Sequence, residues 1–388
     1  MRFFLISALI FPALISASPT LIFPAPQRVV ATGPPLHVDA SLNITTTHES
    51  DRLARTIERY VATIRHQTQL GCLKCCDEPL PDGTCCCLVE GCPKELPPSC
   101  PSPPATTITP PTLRQVIITI TGAESEELYP SRRTCYNYSL TIRSSPPTAE
   151  IVSCSVFGAA YALEGFTQLL AKGGGARLPH DAIYVRDAPA YSWRGLMIDT
   201  GRRFFPMPLV KNLLDTMAAV KLNVLHLHAS DFCRFAVESK VFPNLTASLT
   251  GIHAGHYTQV RVGARGQPLM AHRPPRSRFG ALATARRLTW ARRFLLIASD
   301  CHCSQADVGE MISYASDRGI RVVPEFDVPG HSRGLLPLEA EGVQFCTAGE
   351  HRSQLYNDPA GKTYAAVHRL LAEMATVFKD EVRTLDCR

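Results

Sequence analysis

Past Ser18, this chain of 388 residues has no apolar run long enough to span a bilayer, since a crossing helix takes about 20 consecutive apolar residues. Charged residues are sparse, at 19%, but hydrophobic residues reach 45%. That composition excludes wholesale disorder and leaves room for two domains with proper cores. Lysine and acid are almost missing from one segment: residues 260–304 hold nine arginines, no lysine and only Asp300 as an acid. The net charge of +6 is therefore local, because 31 basic residues face 33 acidic ones elsewhere. A chain that is basic all over is excluded, and a polyanion binder would have to work through this one insert.

The N-terminus has the make-up of a secretory signal: one positive charge, an apolar run from Phe3 to Ile15 broken by Pro12, then the small residues Ser16, Ala17 and Ser18. A membrane anchor is the competing reading, and the shortness of the run argues against it. Export gives meaning to three N-x-[ST] sequons, at Asn43, Asn137 and Asn244. It also bears on the 15 cysteines, which in an oxidising compartment form disulfides more readily than metal sites. Eight of them crowd into residues 71–104 among prolines and glycines, without apolar periodicity. Cys72 and Cys75 have zinc-like spacing but no second clean C-x-x-C follows, so a disulfide-stapled loop is the expectation.

Around that loop, residues 19–190 read as a small α/β domain. Pro-rich extended chain is followed by a helix with Leu53, Ile57, Tyr60, Val61 and Ile64 on one face, then by strands at Arg114–Ile120 and Tyr136–Ile142, a helix from Phe157 and a closing strand at Ile183–Val185. No cluster of catalytic residue types lies here.

From Tyr191 the pattern changes to strand, helix, strand. Gly195–Ile198 is an apolar run that stops at Asp199, and Leu222–Leu227 runs into His228 and Asp231. Between them, Pro208 suits a first helical turn, and Leu209, Leu213, Leu214, Met217 and Val220 are spaced for a buried face. A helix over Ala306–Gly319 leads to a third strand, IRVVPEF, which ends in Glu325, Asp327 and His331; a last helix spans about Gly361–Phe378, with Tyr364, Val367, Leu371, Met374 and Phe378 in register. Three βα units with polar strand ends predict a barrel-type site at the carboxyl ends of parallel strands. His226 and His228 share a strand face, which admits a metal-binding H-x-H reading, but no matching ligand set follows and no metal is expected.

The stretches LIFPAPQ, WRGLMIDTGRRFFP, KLNVLHLHASD and RGIRVVPEFDVPGH resemble glycoside hydrolase family 20, the β-N-acetylhexosaminidases. The resemblance covers most of residues 21–70, 105–259 and 306–382. It implies an α/β fold: a small N-terminal α/β domain followed from residue 191 by a TIM (β/α)8 barrel, here incomplete. It implies removal of terminal N-acetylglucosamine or N-acetylgalactosamine by substrate-assisted retaining hydrolysis, in which the sugar's own acetamido oxygen attacks the anomeric carbon. Carried over by motif, Arg194 would grip the ring hydroxyls, and Asp199 would pair with His331 to tune the acid. His228 and Asp231 would line the pocket, with Glu325 and Asp327 supporting its floor. Leu227 stands where the family usually has a tryptophan.

The family's catalytic Asp-Glu pair follows a motif like H-x-G-G-D-E at a fourth strand, which would begin here near Val382, where the sequence reads VRTLDCR. The expectation is a chain inactive as it stands. Asp380-Glu381 is not accepted as the substitute, because it precedes that strand. GHYTQ and ADVGEM would join into the family pattern if residues 260–304 were removed, which reads as a translated intron. The partners expected are glycans ending in N-acetylhexosamine, with no cofactor, no nucleic acid, no membrane span, and a homodimer as a further option. The compartment expected is the secretory pathway, outside the cell or in a lysosome or vacuole. A non-catalytic glycan binder is the alternative function.

Overall fold

The structure, a computed structural model, describes residues 22–69, 111–122, 129–170, 177–247, 255–257, 307–347 and 354–380. The leader, the cysteine-rich loop, the arginine-rich insert and residues 381–388 lie outside the described residues. The chain divides into two compact units, one comprising residues up to Gly122 with Cys135–Ala190, the other Ala123–Thr134 with Tyr191–Arg388.

The first unit is a seven-stranded mixed sheet in the order β1-β7-β4-β5-β3-β2-β6. Its strands are β1 (Arg28–Thr32), β2 (Leu36–Thr46), β3 (Thr112–Ile120), β4 (Tyr138–Ser144), β5 (Pro147–Ser153), β6 (Arg177–Leu178) and β7 (Ala182–Asp187). Helices α1 (Asp51–Gln69) and α2 (Val156–Leu169) supply the apolar cover. Leu53, Tyr60 and Ile64 of α1 join Phe157, Leu163 and Phe166 of α2 and alternate strand residues such as Leu113, Leu140 and Ile151 in one buried cluster. Strand alternation explains why every second residue enters it. Ser155 caps α2, its Oγ accepting the amides of Phe157 and Gly158 at 3.1 and 3.2 Å, which satisfies two of the helix's orphan donors. A disulfide joins Cys135 to Cys154.

The second unit is built on three parallel strands in the order β10-β9-β8: β8 (Gly195–Asp199), β9 (Val224–Ser230) and β10 (Arg321–Phe326). Helices α3 (Met207–Ala219) and α5 (Asp307–Ser316) connect them in sequence, with a short α4 (Asn244–Ala247) on the way; a 3-10 stretch (Ser332–Glu341) and α6 (Lys362–Val377) follow. Ile198, Leu225, Leu227, Val322 and Phe326 pack against Val210, Leu214, Met217, Val308 and Met311.

The stripe expected on α5 is observed: Val308, Met311, Ile312 and Ala315 are buried, and Gly319 ends the helix with φ 71°. On α3 the buried stripe is Met207, Val210, Leu214 and Met217 instead, with Leu209 exposed. On α6 it is Thr363, Ala366, Leu370 and Met374, with Tyr364 exposed. Both helices carry more apolar residues than their contact stripe can bury, so spacing alone picked a line displaced from the true one.

Candidate functional site

Register decides what meets at the strand ends. Asp199 lies beside His228, and His228 beside Glu325. Since Ile198, Leu225, Leu227 and Val322 face the helices, alternation turns Asp199, His226, His228 and Glu325 to the opposite face. The chain just past each strand end then adds Arg202, Asp231, Asp327 and His331.

Asp231 is the centre. Its side chain is 0% exposed, and its Oδ2 lies 2.8 Å from His228 Nε2, 2.8 Å from an Arg202 terminal nitrogen and 3.4 Å from His331 Nδ1. The Phe232 amide donates to its Oδ1. Burial alone would raise the Asp231 carboxyl, but the Phe232 amide, His228 and the positive charges of Arg202 and His331 outweigh it and hold the group below the usual carboxylate range. Burial likewise opposes charge on His228, yet hydrogen bonds to Glu325 and Asp231 raise its pKa. His228 Nδ1 is 3.0 Å from Glu325 Oε2, and His226 Nε2 lies 2.6 Å from the same oxygen. The second contact is close but misaligned, because His226 Nε2 makes no hydrogen bond.

Two glycines fix the Asp231 main chain. A Cβ on Gly201 would come within 2.7 Å of the Asp231 nitrogen, and one on Gly334 within 2.7 Å of the Asp231 carbonyl oxygen. The Gly334 amide donates to that carbonyl at 3.1 Å, while the amides of Thr200 and Gly201 close onto the His228 carbonyl at 2.9 and 3.0 Å. Only residues without a side chain permit this double approach.

Asp199, His228, Asp231, Glu325, Asp327 and His331 are thus brought together, while Asp199 and Arg194 make other contacts than the resemblance implied. Asp199 makes no direct pair with His331. Its carboxylate binds the Arg202 amide, at 3.0 Å, and the Arg202 guanidinium, which stands between it and the imidazole, 3.5 Å from His331 Nδ1. The carboxylates nearest His331 are Asp327, at 3.3 Å, and Asp231. Arg194 is at the other end of β8. Its guanidinium donates to the carbonyls of Lys221 and Tyr191, and its carbonyl accepts from the amides of Asn223 and Val224. It braces the strand start and is not at the mouth. The arginine at the mouth is Arg202, its side chain 52% exposed. The signal for it was present in the sequence: an arginine three residues past the aspartate that ends a strand.

Two groups, Asp199–His228–Asp231 and Asp231–Asp327–His331, have donor atoms close enough to hold an ion. The Arg202 guanidinium already binds Asp199 and Asp231, so the place for a positive charge is taken by a side chain. The arrangement suits recognition of polar, hydroxyl-rich groups by a guanidinium clamped between carboxylates, with an Asp–His–Glu chain setting proton positions behind it. Among the described residues no helix is long and apolar enough to cross a membrane. Asn43, Asn137 and Asn244 are all exposed.

Residues 191–385, which hold this cluster, match the sequence pattern of the glycosyl hydrolase family 20 catalytic domain. The chain belongs to glycosyl hydrolase family 20. Residues 22–169 match a second pattern, described as beta-acetyl hexosaminidase like. Among family 20 relatives, the chain is 28% identical over 274 residues to beta-hexosaminidase subunit beta of Mus musculus, an alignment covering 70% of this chain and 42% of that protein. It is 31% identical over 260 residues to beta-hexosaminidase subunit alpha of Bos taurus, covering 65% and 39%. The chain thus spans about two-fifths of the length of these relatives. A chitobiase of Flavobacterium johnsoniae superposes with a TM-score of 0.61 at 21% identity, covering 94% of this chain and 44% of that one. The family 20 beta-N-acetylhexosaminidase of Streptomyces coelicolor gives 0.56 at 20% identity, covering 94% and 59%. These likenesses fix the fold class as α/β, with the second unit following the family 20 TIM barrel; three of its strands lie among the described residues.

Proposed function

We propose that the second unit is the sugar-holding part of a β-N-acetylhexosaminidase-type site, which takes terminal N-acetylglucosamine or N-acetylgalactosamine and, with a general acid, releases it by substrate-assisted retaining hydrolysis. Arg202 carries the reading. A half-exposed guanidinium locked by Asp199 and Asp231 at the carboxyl ends of parallel strands offers a fixed fork of donors to neighbouring ring hydroxyls. His228, Asp231, Glu325, Asp327 and His331 are the remaining binding and supporting residues.

Turnover needs a carboxylic acid able to protonate the leaving oxygen. Asp199 and Asp231 are tied to Arg202, Glu325 contacts His226 and His228, and Asp327 lies against His331. All four carboxylates of the described mouth are engaged, which favours the reading of this chain as a glycan binder without turnover. Titrating the full chain with N-acetylglucosamine and with glucose tests both parts. Saturable binding of N-acetylglucosamine that is preferred over glucose and lost in Arg202→Ala, with no release from a chromogenic N-acetylglucosaminide, is expected. Binding that survives Arg202→Ala overturns the site; release at an enzymatic rate overturns the non-catalytic reading.

We also place the chain in the secretory pathway, as a secreted or lysosome- or vacuole-resident glycoprotein. The exposed sequons at Asn43, Asn137 and Asn244 and the Cys135–Cys154 disulfide support this. Loss of mass on treatment of the cell-made protein with a peptide N-glycosidase is the expected result; no change would sink it.

A further inference from the structure

Two residues beside the mouth take no part in the cluster of carboxylates and imidazoles. Phe232 follows Asp231 directly and is 48% exposed. Arg333 comes two residues after His331, is exposed, and holds its guanidinium carbon 4.7 Å from the centre of the Phe232 ring. Both stand on the segments that the glycines close together. The Phe232 amide donates to Asp231 Oδ1, and Gly334, the neighbour of Arg333, donates its amide to the Asp231 carbonyl at 3.1 Å. A fixed main chain thus sets a guanidinium over an aromatic ring, at a separation where the ring attracts the cation.

Arg333 differs from the other cations in what it binds. Arg202 is held by Asp199 and Asp231, His228 by Asp231 and Glu325, and His331 lies against Asp327 and Asp231. Those are the four carboxylates of the described mouth, and none of them pairs with Arg333, which among the described residues makes no ion pair. Stacking leaves the N–H groups of a guanidinium around its edge, where an acceptor from outside the protein can reach them.

We propose that Phe232 and Arg333 hold the sugar unit to which the terminal N-acetylhexosamine is attached, and that they select an acidic one, bearing a carboxylate or a sulfate ester. The inference rests on the sugar-holding reading of the Arg202 cluster and names the kind of glycan which that cluster takes. The C–H face of a pyranose covers the open part of the Phe232 ring, as apolar surface does on any aromatic wall. A carboxylate or sulfate on the same unit accepts two parallel bonds from Arg333. The ring alone would serve a neutral unit, so the preference for charge comes from Arg333.

Isothermal titration of the full chain at constant ionic strength compares four ligands: N-acetylglucosamine, N-acetylglucosamine β-linked to glucose, the same disaccharide with glucuronic acid in place of glucose, and the glucose disaccharide sulfated on its glucose. At least one acidic disaccharide is expected to bind about tenfold or more tightly than the neutral one, the worth of one charge-assisted hydrogen bond. Preference for glucuronic acid identifies a carboxylate reader, and preference for the ester a sulfate reader; either supports the proposal. In Arg333→Ala and in Arg333→Gln the ratio of acidic to neutral affinity should fall to about one. In Phe232→Ala the advantage of the neutral disaccharide over the monosaccharide should disappear. Because each ratio is taken within one variant, a change in stability does not imitate the result. N-acetylglucosamine bound by the unaltered chain, with acidic and neutral disaccharides bound alike, overturns this subsite and leaves the Arg202 reading standing. Failure of all four ligands to bind overturns the Arg202 reading, and the subsite with it. An acidic preference that persists in both Arg333 variants, or loss of neutral and acidic disaccharides together in both, removes Arg333 from the selecting role and overturns the proposal.

Discussion

The same three strands carry opposite chemistry at their two ends. At the carboxyl ends, ionisable side chains bind one another: Asp231 alone contacts His228, Arg202 and His331. At the amino ends, Arg194 holds main-chain carbonyls and Arg321 binds the buried Asp380. The first kind of arrangement couples proton positions and leaves a guanidinium half open to solvent. The second fixes backbone geometry. Residue type is shared, so what an arginine binds here depends on which end of a strand it occupies.

The largest expected effect belongs to the amino ends. Arg321→Ala removes the guanidinium that makes two bonds to the buried Asp380 carboxylate, and urea unfolding should report a loss of about 3–5 kcal/mol. A loss below about 1 kcal/mol would mean that water reaches the pair and that the contrast between the two ends is overstated. Gly201→Ala comes next. Its Cβ would meet the Asp231 main chain, and the expected cost is about 1–3 kcal/mol, as for overpacking, accompanied by displacement of the mouth. Crystallography of that variant with Asp231 unmoved would contradict the clamp. Arg194→Ala removes hydrogen bonds to two carbonyls and should cost about 1–3 kcal/mol while leaving sugar affinity per folded molecule unchanged. Arg202→Ala should do the reverse. Being half exposed, it should cost at most about 1 kcal/mol of stability, with sugar binding lost. Reversal of this pair would break the comparison outright.

The subtlest test is the dependence of stability on pH. His228 has a raised pKa in the folded chain, so its contribution is complete below its ordinary value of 6.5 and is lost as pH rises through the raised one. Asp231 has a lowered pKa, so its contribution is present above the ordinary 3.8 and is lost as pH falls through the depressed value. Unfolding midpoints should therefore be highest in the mildly acidic range. Asp231→Asn should flatten the acid limb and lower the His228 titration seen by NMR. An unaltered His228 titration would show the two groups to be uncoupled.

Much of this was readable from the chain. Apolar runs closed by Asp199, His228 and Glu325 marked parallel strands and the end at which polar residues gather, because a buried strand must be apolar until it leaves the sheet. Side-chain partnership was not readable. Arg321 and Asp380 are separated by 59 positions, and the placing of Asp231 rather than Asp199 beside His331 depends on how the loops past the strands fold back. Arg194 stands immediately before β8, so strand direction alone assigns it to the amino end, where its guanidinium donates to the carbonyls of Lys221 and Tyr191. The stripes on α3 and α6 were displaced because both helices have surplus apolar residues.

The glycine clamp at Asp231 has a consequence for exchange of the backbone with solvent. Loop amides usually exchange hydrogen for deuterium quickly, because loops open without the sheet. Here the Asp231 amide donates to Arg234 and the Gly334 amide donates to Asp231, with Gly201 pressed against the same peptide. Opening this loop means parting three segments at once, so these amides should be protected almost as long as those of β9. A ligand arriving at the mouth then meets an Asp231 loop already in its final form.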